Sequence, residues 1–231
     1  MKQLGKKAKG LLLLVLCAAL ILPCVNGHAL TQKQKALNAY KRFLSKSKVN
    51  VLAPGTIWYK NFRPMKYTPT NAAKVKFGIA YIDNDNIPEM VLLGKVNKYG
   101  KRDDIFAIFT YRNGKVVRVK SGNYDYMRFA GYYSRTGTFK YLFYDDGGEA
   151  EHNYCMLRNG RTSEKIRKCV PGEWAASQGV KCNYYKRVST KKVNITYSAF
   201  MRLYKSMTKS KKMSTVKFYK NTAANRRAKL R

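Results

Sequence analysis

Turn dipeptides that contain glycine divide the middle of the chain into short segments, and no other feature restricts the possible folds as much. These dipeptides are Asn113-Gly114, Thr136-Gly137, Gly147-Gly148 and Asn159-Gly160. Each lies between apolar or aromatic runs, where Gly and Asn readily adopt the positive φ angles of a tight hairpin. The pattern therefore predicts an antiparallel β-meander.

The segments between these turns are rich in Val, Ile, Phe and Tyr, which favour strands. The predicted strands cover residues 75–82, 90–93, 105–111, 115–120, 129–134, 138–144, 153–157 and 183–188. A meander of this length forms a curved sheet or a partial barrel, which helices at both ends of the chain would cover. The predicted fold class is α+β.

Helical periodicity replaces the strand pattern near both ends of the chain. Residues 31–45 form a predicted helix with Leu37, Tyr40 and Leu44 on one face, and residues 222–230 form a short last helix. The apolar stripe of another C-terminal helix consists of Phe200, Leu203, Tyr204 and Met207, with Thr196 or Ser198 as its N-cap.

The chain begins with the pattern of a signal peptide. Four lysines precede an unbroken apolar run over residues 11–22, which Pro23 closes. Twelve helical residues span roughly 18 Å, which is well short of the ~30 Å hydrocarbon core of a membrane. We therefore expect a cleaved signal peptide over residues 1–27 and a single mature domain over residues 28–231, with a basic C-terminal segment over residues 208–231.

The mature chain contains three cysteines, Cys155, Cys169 and Cys182, in an exported and oxidising setting. An odd number allows at most one internal disulfide. Pairing of Cys169 with either neighbour would close loops of similar size, and three buried thiols without a bond fit the sequence equally well. The spacing matches no zinc pattern.

Charge is strongly segregated along the chain, which carries a formal charge of +35. All 12 carboxylates lie between Asp83 and Glu173, whereas residues 28–82 and residues 174–231 contain only basic charges. Aromatic residues make up 13% of the chain, which is too many for a disordered polycation. A positive field outside the cell attracts cell-wall polymers, acidic lipid headgroups, acidic polysaccharides and free nucleic acid.

The C-terminal segment concentrates this charge. Its nine candidate polyanion-binding cations are Lys209, Lys211, Lys212, Lys217, Lys220, Arg226, Arg227, Lys229 and Arg231. The sequence thus predicts a secreted, non-catalytic, monomeric protein that binds anionic cell-envelope polymers or contacts a membrane surface. The alternative is that excess lysine only keeps an exported protein soluble. Nothing predicts sequence-specific nucleic-acid recognition.

An acidic loop between two predicted strands, within residues 77–93, resembles the calcium loops of FG-GAP, VCBS and dockerin-like repeats. The resemblance implies that Asp83, Asp85 and Glu89 are ligands of a divalent metal such as Ca²⁺, with Asn86 at the turn. The first ligand position of the pattern is occupied by Tyr81. A divalent-metal-binding adhesion or interaction module is therefore a second hypothesis, and a hairpin that uses Asp and Asn only as turn formers is its alternative.

A wider resemblance joins this loop to the segments KALNAYKRFLSK, TGTFKYLFYDDGGEAEHNYCML and VKFYKNTAANR. Together they are similar to small uncharacterised secreted proteins of anaerobic Gram-positive gut bacteria. The resemblance implies export and a meander fold, and it implies no activity.

A second acidic cluster occupies a predicted hairpin tip and suggests a third hypothesis, a secreted carboxylate-dependent hydrolase. Its members are Asp145, Asp146, Glu149, Glu151 and His152. The alternative is structural, because exposed carboxylates are common at hairpin tips and would counter the surrounding positive field. On a strand, His152 and Cys155 point to opposite faces, so they are not expected to pair as base and nucleophile. The residues therefore favour a protein without catalytic activity.

Overall fold

The computed structural model describes residues 30–51, 56–57, 65–66, 70–98, 101–122, 127–144 and 149–231. The predicted signal peptide and the carboxylates Asp145 and Asp146 lie outside the described residues. Within the described part, no helix is long and apolar enough to cross a membrane.

Strands dominate the described chain, and helices stand near its two ends. The elements are α1 (Gln32–Leu44), β1 (Lys48–Val49), β2 (Thr56–Ile57), β3 (Met65–Lys66), β4 (Thr70–Asn71), β5 (Lys76–Ala80), β6 (Glu89–Lys98), β7 (Lys101–Arg112), β8 (Lys115–Ser121), β9 (Met127–Tyr133), β10 (Thr138–Tyr144), β11 (Ala150–Arg158), β12 (Arg161–Val170), α2 (Glu173–Ser177), β13 (Asn183–Val188), β14 (Lys191–Asn194), α3 (Tyr197–Thr208), β15 (Tyr219–Lys220) and α4 (Ala223–Lys229). A short 3₁₀ turn covers Ala72–Lys74. The prediction of an α+β fold built from antiparallel strands is confirmed.

The meander is divided between two large antiparallel sheets rather than forming one curved sheet. The first sheet has the order β15-β5-β6-β7-β8, and the second has the order β14-β13-β12-β11-β10-β9. Successive strands of each meander are joined as antiparallel neighbours, and β15 is added to β5 from a distant part of the chain. The pairs β1-β4 and β2-β3 form two additional two-stranded sheets.

Alternating side chains build a core on each face of both sheets. Along β7, Phe106 and Ile108 face the second sheet, whereas Ala107 and Phe109 face α1. The second sheet places Tyr154 beneath α3 on its other face. The order of layers is therefore helix, sheet, sheet, helix, with three apolar interfaces between them.

The predicted helices occur where periodicity placed them. Helix α1 buries Leu37, Tyr40 and Leu44 against the first sheet, as expected. At the start of α3, the Thr196 hydroxyl accepts a hydrogen bond from the Ala199 amide at 3.3 Å, so Thr196 rather than Ser198 is the N-cap. The short last helix is also present, as α4.

The turn predictions are confirmed at two hairpins and need correction at a third. Asn113 and Asn159 have φ angles of 49° and 51°, and each is followed by a glycine with positive φ. In the turn between β9 and β10, the positive φ angles belong to Arg135 and Gly137 rather than to Thr136. The hairpin between β10 and β11 is present, but Gly147 and Gly148 lie outside the described residues.

Sequence reasoning missed seven of the described strands, namely β1, β2, β3, β4, β12, β14 and β15. Of these, β12 and β14 belong to the second large sheet. Strand β12 has charged or polar residues at most of its positions, and Ile166 is its buried residue. All four residues of β14 are exposed. Strand β12 pairs with β11 over its whole length, so hairpin pairing with a more apolar strand compensates for its weak apolar alternation.

The basic C-terminal segment is built into the fold rather than projecting from it. Ser214 exchanges two backbone hydrogen bonds with Tyr132 on β9, at 2.8 and 2.9 Å, and β15 then pairs with β5. A Cβ atom at Gly78 of β5 would clash with Val216 and would lie 2.7 Å from the Lys217 carbonyl oxygen, so glycine is required for this close approach. The segment therefore contacts an edge strand of each large sheet.

The segment ends on a buried amide and a buried leucine. The Asn221 side chain donates hydrogen bonds to the carbonyls of Leu44 and Ala72 at 2.9 and 3.0 Å and accepts one from Arg226 at 2.8 Å. Leu230 is fully buried in the core beneath α1. These contacts attach the chain end to the end of α1.

Replacing Asn221 by alanine should lower the free energy of unfolding by about 1–3 kcal/mol, because two buried carbonyls lose their donor. Urea denaturation measures the change. Asn194→Ala removes the same amide from an exposed position and should change stability by less than about 0.5 kcal/mol. Equal effects of the two variants would contradict an anchoring role for Asn221.

Candidate functional site

The acidic loop joins β5 to β6 and brings its three predicted ligands together. Ligand oxygens of Asp83, Asp85 and Glu89 all lie within 4.8 Å of one another. Asp83 is half-buried, Asp85 is exposed and Glu89 is fully buried. Three convergent carboxylates of this kind could hold a metal ion, and their hard oxygen atoms suit a cation that prefers oxygen ligands.

The loop holds its shape through local side-chain turns. Asp83 Oδ1 accepts a hydrogen bond from the Asp85 amide at 3.3 Å, and Asp85 Oδ1 accepts one from the Ile87 amide at 2.8 Å. Asn86 has a φ angle of 63°, as predicted for the turn position. The alternating acidic residues therefore act as turn formers and also present their carboxylates on the same side.

Glu89 is the buried member of the cluster and the first residue of β6. Its Oε2 accepts a hydrogen bond from the Ile82 amide at 2.9 Å, and its Oε1 accepts one from the Thr110 hydroxyl at 3.4 Å. The buried Tyr40 hydroxyl donates to the Pro88 carbonyl at 2.9 Å, which ties the loop to α1. Glu89 is thus held in place from the neighbouring strand and from the loop itself.

Burial and mutual repulsion favour the protonated forms of these carboxyls. Burial, with a smaller contribution from Asp83, raises the pKa of Glu89 to about 8. Burial and the adjacent Asp85 raise the pKa of Asp83 to about 6. A bound cation would oppose both effects, so metal binding at this site should release protons.

The turn between β9 and β10 clamps the loop from the second sheet. Arg135 Nη1 donates to Asn86 Oδ1 at 2.6 Å, and the Arg135 backbone amide donates to the Tyr81 carbonyl at 2.9 Å. The guanidinium lies 5.2 Å from the centre of the Tyr81 ring. The sequence places Arg135 beside Tyr132 and Tyr133 and next to a turn dipeptide, but sequence reasoning did not connect it with the acidic loop.

One member of the second acidic cluster, Glu151, has a structural role. Glu151 forms an ion pair with Arg167 at 2.5 Å, and Arg167 also pairs with Glu164 at 3.1 Å. Arg187 lies 3.7 Å from Glu164. These half-buried charges neutralise one another across neighbouring strands, so Glu151 is not a free catalytic carboxylate.

The cysteine and histidine of β11 are poorly suited to nucleophilic catalysis. Cys155 faces the core between the sheets, and burial raises the pKa of its thiol to about 12. Burial lowers the pKa of His152 to about 4. Cys155, Cys169 and Cys182 are free thiols in the structure.

The nine predicted polyanion-binding cations are distributed along the anchored C-terminal segment. All of them are exposed except Arg226, which is half-buried and bonded to Asn221. Lys211 donates to the Ser134 carbonyl at 2.8 Å, and Lys229 lies 4.9 Å from the centre of the Tyr219 ring. Lys211 thus lies beside the Arg135 turn, which contacts the acidic loop.

No family model matches the chain, and no curated protein is significantly similar to it. One similar solved structure is described as the structure of a Xanthomonas Type IV Secretion System related protein. The match has a TM-score of 0.39 and 10% sequence identity, and it covers 60% of this chain and 63% of that one. A likeness this weak supports no inference about function.

The metal-free protein should lose stability as pH rises, because the folded state keeps protons on Asp83 and Glu89 that the unfolded chain has already released. In the unfolded chain these groups ionise near 3.8 and 4.5, compared with about 6 and about 8 in the fold. Their contribution is therefore complete below about pH 4 and is lost as pH rises through 8.

The test compares Glu89→Gln with the wild type in EDTA. Glutamine is neutral at every pH, so the variant should become more stable relative to the wild type between pH 5 and pH 9. Thermal unfolding across this range measures the difference, and exposed Glu173→Gln is the matched control. If the stability difference between Glu89→Gln and the wild type stays constant with pH, the raised pKa of Glu89 is contradicted.

Proposed function

We propose that this protein is exported and binds anionic polymers of the cell envelope through its basic surface, without catalysing a reaction. One observation carries the proposal. Residues 174–231 contain no Asp or Glu, yet they are packed into the fold. Residues 174–231 contain 16 basic side chains, and all of these except Arg187 and Arg226 are exposed.

A folded basic surface differs physically from a charged tail. Because Ser214, Asn221 and Leu230 anchor the C-terminal segment, its backbone loses little conformational freedom when a polymer binds. Each phosphate or carboxylate that they neutralise releases a condensed counterion, which favours binding at low salt. The surface therefore suits a polymer with repeated negative charges better than a single small anion.

Export is supported by the sequence of the leader. A basic start, an apolar run of 12 residues and a closing proline are typical of a cleaved signal peptide. The ligands met after export are wall polymers, acidic polysaccharides and lipid headgroups, and not the chromosome. We place the wall polymers first because a regular polyanion matches an extended array of cations.

Neutralising the basic surface should weaken binding to polyanions. The variant changes five exposed cations to glutamine, namely Lys209, Lys212, Lys220, Arg227 and Arg231. Affinity for a purified polyglycerol-phosphate wall polymer and for a DNA duplex is measured against salt concentration. For DNA, the log-log salt slope should flatten by up to about 0.9 for each phosphate that the variant no longer neutralises.

A matched control separates this surface from total charge. It changes five exposed cations of the acid-containing centre to glutamine, namely Lys115, Arg128, Arg158, Arg161 and Lys165. The control should retain most of the affinity and the salt slope. If both variants fold and lose binding equally, net charge rather than the C-terminal surface attracts polyanions, and the proposal fails.

A second candidate function rests on a different observation, the convergence of Asp83, Asp85 and Glu89. Under this proposal the loop binds Ca²⁺ and the protein is a divalent-metal-binding extracellular module. The oxygen ligands, their spacing below 4.8 Å and the positive φ of Asn86 support it. Because the site holds β5, β6 and the Arg135 turn together, calcium would stabilise the junction of the two sheets.

The triple change of Asp83 and Asp85 to Asn and of Glu89 to Gln tests the calcium proposal. Asparagine keeps the Oδ1 atoms that cap the turn amides, so the metal-free fold should survive. Calcium should raise the melting temperature of the wild type, since it binds only the folded state, and should not raise that of the variant. A wild type without any response to calcium would leave the acidic residues as turn formers only.

A further inference from the structure

A cleft of about 370 Å³ opens beside the acidic loop, where four distant parts of the chain meet. Gln32 lies at the start of α1, and Asp85 lies in the acidic loop. Two hairpin turns complete the cleft, the β7–β8 turn with Arg112 and Asn113 and the β11–β12 turn with Asn159. Its volume is near the lower limit of ligand pockets, about 300–1,000 Å³. The cleft therefore fits a small ligand or one unit of a polymer.

The lining combines planar polar side chains with a little apolar surface. Gln32, Asn113 and Asn159 each offer an amide donor and an amide acceptor, while Arg112 offers donors only and Asp85 acceptors only. Tyr111 and Ile87 add apolar contact area. One cation and one carboxylate offset each other, so the lining is balanced in charge, in contrast to the basic surface.

The side chains of Arg112 and Asp85, and the backbone at Asn113 and Asn159, are held before a ligand arrives. Arg112 Nη1 donates to the Asn159 carbonyl, and the Arg112 side chain packs on Gly160, where a Cβ atom would lie 3.3 Å from Cδ. Asn113 and Asn159 occupy left-handed positions of tight hairpin turns. Asp85 is fixed by its bond to the Ile87 amide. Groups held in this way lose little freedom on binding.

We infer that this cleft binds one or two sugar units of a polysaccharide. Sugar rings carry neighbouring hydroxyls that both donate and accept, which the amides, Arg112 and Asp85 can satisfy together. Their C–H faces match the apolar surface of Tyr111 and Ile87. The balanced charge favours hydroxyls over phosphate. This assignment goes beyond polyanion binding and does not depend on the C-terminal cations.

Isothermal titration with tetrasaccharides tests the inference at 1 M NaCl, where the screening length is about 3 Å and diffuse attraction is suppressed. The probes are a neutral N-acetylglucosamine tetramer, a neutral glucose tetramer and an acidic galacturonate tetramer, each with calcium and with EDTA. At least one should bind saturably at one site per chain. Comparing the probes shows whether the preferred unit is neutral or acidic.

Two variants locate the site, and one is a matched control. Arg112→Gln removes one cation from the cleft and should weaken binding about 10-fold or more. Asn113→Gly removes one amide but suits the positive φ of the turn, and it should weaken binding as well. Arg202→Gln removes one exposed cation from α3 and should leave binding unchanged.

The inference is overturned if no tetrasaccharide binds saturably, or if Arg112→Gln and Arg202→Gln weaken binding equally. The C-terminal five-glutamine variant should retain tetrasaccharide binding at 1 M NaCl. The two proposals can therefore fail separately. The polyanion proposal is tested by binding of long polymers at low salt, and the cleft assignment is tested by binding of tetrasaccharides at 1 M NaCl.

Discussion

The basic C-terminal segment, residues 208–231, depends on the hydrogen bonds of the Asn221 side chain for its attachment to the fold. This side-chain amide is buried and fully satisfied, with two donated bonds to the ends of two earlier segments and one bond accepted from Arg226. The Asn221 backbone amide also donates to Val75 at 3.1 Å. A chain region with no carboxylate cannot be held by internal ion pairs. Hydrogen bonds and buried apolar side chains hold it instead.

The separation of charge along the sequence becomes a separation of roles in the fold. Four of the described central acidic residues serve local structure, Asp83 and Asp85 as turn formers and Glu151 and Glu164 as partners of Arg167. The cations of residues 174–231 have no carboxylate side chains within their own segment, and all of them except Arg187 and Arg226 are exposed. The positive charge of residues 174–231 therefore has two causes. The segment is rich in Lys and Arg, and the carboxylate side chains are confined to residues 83–173.

The sequence predicted what depends on local chemistry. Turn dipeptides located the hairpins at Asn113 and Asn159. The spacing of Asp83, Asp85 and Glu89 located the candidate metal site within residues 83–89. Contacts between distant segments were not predictable, since Arg135 reaches Asn86 across 49 residues and Thr110 reaches Glu89 across 21.

The same limit applies to the cleft and to the C-terminal segment. The cleft is assembled from four separate turns and helix ends, none of which is distinctive alone. Residues 208–231 are polar in composition, and short separate anchors hold them on the fold, among them Ser214, β15, Asn221 and Leu230. Sparse anchors of this kind give no periodic signal.

Hydrogen exchange of backbone amides in residues 209–231 tests most directly whether the basic surface belongs to the fold. The amides of Ser214 and Asn221 donate hydrogen bonds to Tyr132 and Val75, so they should exchange nearly as slowly as amides of β5. Exchange of both at the rate of an unstructured peptide, while β5 stays protected, would show a solvated tail and contradict this account.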